Sequence, residues 1–278
     1  MSEASPVSIL RKSVEVTLLA GVAGLLIAIH LLVPESIRAE FVFTYGEPSL
    51  ESAWTAAVAH DSWSHLVSNV AWYAAVMGSM YSLLAERGRR RVFWLAAAGC
   101  VVIAPPVTKL VDHWVLFRQW EVVAGVTTAS GFSGVVSALG GMLYVVLLGT
   151  VTSRYGYAAG VVTAGTVTVA SLTVLLVTST VPLGPTGGAV GVTSVVLGII
   201  GARCRTPIQR LRRIWSHDRD SVIRVGVAWA VVVILITLLF QVELDASRRF
   251  VNVVAHGTAF TTGMIVTLGV ICWQWNTV

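Results

Sequence analysis

The chain has 278 residues, of which 55% are hydrophobic and 12% charged, and its mean hydropathy is +0.79. A soluble domain carries about 25% charged residues, so a soluble fold of this composition would expose large apolar patches and aggregate. Disorder is excluded by the same surplus of apolar residues and shortage of charge. After a tail at 1–13, a first apolar run covers 14–33. It is too long for the core of a signal peptide, and Pro34-Glu35-Ser36 offers no small-x-small cleavage site. Further runs follow at 64–85, 92–110, 131–151, 156–181, 188–202, 222–241 and 252–273. About 20 apolar residues match the hydrocarbon thickness of a bilayer; the run at 188–202 is the shortest and is rich in glycine. The expected fold is therefore all-α, a polytopic transmembrane helical bundle over residues 14–278 with eight segments. Its external loop is 34–62, and its cytoplasmic Arg-rich loop is 203–223.

The loops set the orientation. Fourteen of the 19 basic residues fall on one side of this bundle, among them Arg11, Lys12, Arg87, Arg89, Arg90, Arg91, Arg154 and the arginines of 203–224. Acidic residues such as Glu35, Glu40, Glu47, Glu51, Asp61, Asp112 and Glu121 fall on the other. The positive-inside rule then places both termini in the cytoplasm of a cell-membrane protein. The net charge of +5 is thus spent on topology and on contact with anionic membrane lipids, and no nucleic-acid partner is expected. Cys100, Cys204 and Cys272 form neither a disulfide framework nor a metal-ligand spacing, and no cofactor is expected.

A polar group inside a bilayer is costly and needs a reason. Three clusters stand out. His65 and Asn69, four apart near the outer end of the second segment, share one helix face. Gly131-Phe132-Ser133-Gly134 opens the fourth segment, and Ser137, Ala138, Gly140 and Gly141 continue it with small residues that let helices approach closely. Ala255-His256-Gly257 lies near the start of the last segment, with Ala259 and Gly263 below the histidine. Alone, the first two clusters read more readily as helix packing, and His256 reads as readily so. Together they sit at one depth on three helices running the same way. Ser133 and His256 can then act as nucleophile and base, and His65 and Asn69 can donate hydrogen bonds to an oxyanion. No carboxylate stands near His256 in sequence, so this is a dyad with the imidazole held by packing.

At these residues the chain resembles the rhomboid family of intramembrane serine proteases. The family's Gly-x-Ser-Gly is matched by residues 131–134, its His-x-x-x-Asn by His65 and Asn69, and its Ala-His pair by Ala255-His256. The resemblance implies a six-helix core, here with about two extra helices, and catalysis by Ser133 and His256. It further implies an oxyanion hole of His65, Asn69 and the Ser133 N–H, and transmembrane protein substrates cleaved near the outer face. There are departures. Three segments, not one, separate the serine and histidine helices. Asn252 and Ala259 stand where the family often has glycine, and the first external loop has no Trp-Arg pair. Phe132, and not a proline, precedes Ser133, which fits an active enzyme. Two other readings compete: a catalytically inactive relative that binds membrane helices, and a solute or proton transporter relaying through His65, Lys109 and His256.

Overall fold

A computed structural model describes residues 6–85, 87–119, 121, 128–178, 218–239 and 253–275. In chain order, helix α1 (Pro6–Leu32) leads into two short helices, α2 (Glu35–Arg38) and α3 (Leu50–Thr55). A two-residue strand β1 (Phe43–Thr44) lies between them. Helix α4 (Trp63–Met80) continues as a π-helical turn to Ala85, and α5 (Arg90–Asp112) as another to Gln119. Strand β2 (Thr128–Ala129) precedes α6 (Ser133–Tyr155). Helices α7 (Tyr157–Thr178), α8 (Arg219–Leu239) and α9 (Val253–Trp275) complete the described chain.

Seven of the eight apolar runs coincide with helices. The run at 188–202, most of the loop 203–223, Cys204 and Asn252 lie outside the described residues. Among the described residues, five helices are long and apolar enough to cross a membrane: Ile9–Leu32, Arg90–Gln119, Ser133–Tyr155, Arg219–Leu239 and Val254–Trp275. Helix α4 is not one of them, because Ser64, His65, Ser68 and Asn69 dilute its first turns. The outward faces are apolar: Leu10, Leu18, Leu31 and Leu32 of α1 are all exposed, Leu32 to 79%. Hydrocarbon accepts such a surface and water does not.

Helix α6 is the centre of the bundle, packing on α4, α5, α7, α8 and α9. Its small residues explain why. A Cβ added at Gly141 would overlap the Phe260 carbonyl of α9, and one at Gly263 would overlap the Ala138 carbonyl of α6. The two backbones are thus in direct contact, as small-residue stripes allow in membranes. After Gly156, whose φ of +93° suits only glycine, α7 folds back along α6, with Gly160 against Thr152.

The segment before α4 covers one end of the bundle. Strands β1 and β2 pair antiparallel, Phe43 with Ala129 and Thr44 with Thr128. Phe43, Tyr45, Ala53, Ala56 and Leu116 form a small apolar cluster against Val254 of α9. The Tyr45 hydroxyl donates to buried Asp112 at 2.7 Å. Pro105 and Pro106 lie inside α5. Lacking an N–H, Pro106 leaves the Val102 carbonyl without its helical donor, and the Trp54 indole donates to that carbonyl at 3.0 Å. Arg38 donates to the Val33 and His60 carbonyls, joining the end of α1 to the start of α4.

Candidate active site

Ser133 is the first residue of α6, where the leading amides have no intrahelical acceptor. The loop before it is held at three points. The Gly131 N–H donates to the Ala56 carbonyl at 2.8 Å, the Phe132 N–H donates to His60 Nε2 at 3.3 Å, and β2 pairs with β1. Gly131 has φ +114°, and the His65 imidazole packs where its Cβ would stand. Glycine is therefore required there twice, by conformation and by space.

His256, in the first turn of α9, lies with Nε2 3.1 Å from Ser133 Oγ. Its Nδ1 lies 3.0 Å from the Leu239 carbonyl oxygen. A carbonyl only accepts, so Nδ1 carries the proton and donates to it, and Nε2 presents a lone pair to the serine hydroxyl. Ser133 Oγ–H then donates to Nε2. This is the geometry and tautomer that a nucleophile–base pair requires. The expectation that packing alone holds the imidazole is corrected here. Leu239 is the last described residue of α8, and its carbonyl orients the ring. Ala259, one turn below, is fully buried.

His65 and Asn69 occupy the expected shared face of α4. Ser62 caps that helix, its hydroxyl accepting from the His65 N–H. His65 packs on Gly131, and Tyr73, two turns on, meets the Phe132 ring edge-on at 5.9 Å. Asn69 lies between them, on the face that abuts the residues preceding Ser133. It is 6% exposed, and its Nδ2 is buried with no hydrogen-bond partner among the described residues. An unmade buried hydrogen bond costs about 1–3 kcal/mol and calls for an explanation; a donor reserved for a transient anion is one. His65 differs. Its Nδ1 bonds Asp61 Oδ1 at 2.7 Å, so its Nε2 donates only when the ring is an imidazolium.

Sequence reading missed the roles of His60 and Asp61, although both adjoin the His65 motif. Burial first, and His65 second, push the His60 imidazole down to about 4. The ring is therefore neutral and able to accept from the Phe132 N–H. Burial raises the Asp61 carboxyl, but the hydrogen bond and charge of His65 outweigh that and hold it below its ordinary value. Among the described residues no group of histidine, cysteine and carboxylate side chains is arranged to hold a metal.

Comparison with family models, with curated proteins and with solved structures returns no match for this chain. The functional reading therefore stands on the arrangement of Ser133, His256 and Asn69.

Proposed function

We propose that the chain is an intramembrane serine endopeptidase of the rhomboid type, cleaving transmembrane protein substrates near the outer face of the membrane. One observation carries the reading: Ser133 Oγ faces the lone-pair nitrogen of His256, whose other nitrogen is fixed on the Leu239 carbonyl. His256 takes the hydroxyl proton as Ser133 attacks the scissile carbonyl, then gives that proton to the leaving amine. Water then releases the acyl group by the same base. Asn69 Nδ2 and the Ser133 N–H stabilise the oxyanion, with His65 contributing as imidazolium. In this reading the core is α1, α4, α5, α6, α8 and α9, and α7 with the run at 188–202 is inserted between the serine helix and α8. Both termini then lie in the cytoplasm.

Activity-based labelling tests the reading. A fluorophosphonate probe should label the wild type at Ser133. His256→Ala should lose the labelling, because the base no longer activates the serine. Labelling at another serine, or equal labelling of both proteins, would overturn it.

A further inference from the structure

We infer that a groove at the end of the bundle opposite Ser133 binds an anionic phospholipid, with an acyl chain among α5, α6 and α9 and its phosphate on Arg87 and Arg154. Ser133 and Arg154 stand at opposite ends of α6, about 32 Å apart at 1.5 Å per residue. The groove has a volume of about 710 Å³, within the range of about 300–1,000 Å³ of ligand sites. Val92, Tyr144, Leu148, Met264, Leu268 and Ile271 give it an apolar lining, and Arg87, Arg89 and Arg154 stand at its rim.

Among the described residues, several guanidiniums gather at the rim. Arg87 and Arg154 both donate to the Ser221 hydroxyl, and Arg154 pairs with Asp218 at 2.5 Å. Among the described residues the groups facing Arg87 are Arg154, Arg224, Asp218 and Tyr155; burial and the two arginines hold its guanidinium below the ordinary value. Arg154 and Arg224 therefore crowd the Arg87 guanidinium with positive charge. A phosphate would relieve that repulsion, and guanidinium forks match its oxygens. Basic pockets between membrane helices recognise lipid headgroups in this way. An apolar groove ending in cations matches a lipid and not a free anion.

The test uses the full chain in neutral detergent and reads lipid retention by native mass spectrometry together with Tm. Dioleoyl phosphatidylglycerol should be retained one to one and raise Tm, whereas dioleoyl phosphatidylcholine should do neither to the same degree. Arg87→Gln with Arg154→Gln should weaken retention by about fivefold for each arginine. Gly149 lines the groove, and a Cβ added there meets nothing within 4 Å. Gly149→Phe should therefore fold, fill the groove and lose the lipid. Equal retention of the two lipids, unchanged retention in either variant, or an equal rise in Tm with inorganic phosphate alone would each overturn the proposal.

Discussion

His256 shows how one backbone atom decides a side chain's chemistry. Because the Leu239 carbonyl accepts from Nδ1, the base at Nε2 is available without any carboxylate. Ser133, His256, His65 and Asn69 were legible because each is a polar residue interrupting an apolar run. Leu239 was not, since a main-chain acceptor leaves no mark in sequence and arrives from another helix. Asn69 and His65, treated alike on sequence, separate in the structure. Asn69→Ala should lower kcat by about 10²–10³, the effect of removing one oxyanion donor, and kcat/KM in parallel. His65→Ala should cost less, because Asp61 occupies its Nδ1 proton. An Asn69→Ala protein with reduced Tm and normal kcat would make the pair structural. His60 supplies a pH signature. Its folded value of about 4 lies below the ordinary 6.5, so the unfolded chain takes up the proton first. Its contribution is complete above about 6.5 and is lost as pH falls towards 4. Tm should therefore drop more steeply over that window in the wild type than in His60→Gln; parallel curves would contradict the neutral role of His60.

Among the elements, the α6–α9 contact fixes the distance between Ser133 and His256. The small residues of α6 and α9 were legible as stripes. Their pairing was not, since a stripe names no partner; only the structure sets Gly141 on Phe260 and Gly263 on Ala138. Gly263→Leu should force the helices apart, reducing stability by about 1–3 kcal/mol and abolishing activity. Gly149→Ala, on an open face of the same α6, should shift stability by no more than about 0.5 kcal/mol. Thermal melts of both proteins in one detergent make the comparison, and equal losses would contradict the close contact. The break at Pro105-Pro106 was visible in the sequence as an interruption of the third run. Its consequence, a free Val102 carbonyl taken by Trp54, was not, because it needs the loop's path in space. Trp54→Phe should lower Tm by removing that donor while keeping the ring.

For the molecule as a whole, helices α4, α6 and α9 start at the end that holds Ser133. Helix α7 folds back along α6 towards that end, and α8 brings Leu239 to it. The connection between Thr178 and Asp218 therefore starts at one end of the bundle and finishes at the other. Reporter fusions after Arg91, Arg154 and Arg213 should report cytoplasm, and one after Glu47 the outside. An external signal after Arg213 would contradict the orientation drawn from the basic loops. Composition made the helical, apolar architecture legible, because charge and run length are read directly from residues. It left the covering β1–β2 ribbon unseen, because strands of two residues carry no periodicity. The most direct test of the whole account is cleavage of a model transmembrane substrate by the purified chain in detergent, wild type beside Ser133→Ala. The wild type should cut within or beside the substrate's membrane helix, and Ser133→Ala, equally folded, should not cut at all. Equal cleavage by the two proteins would contradict the account.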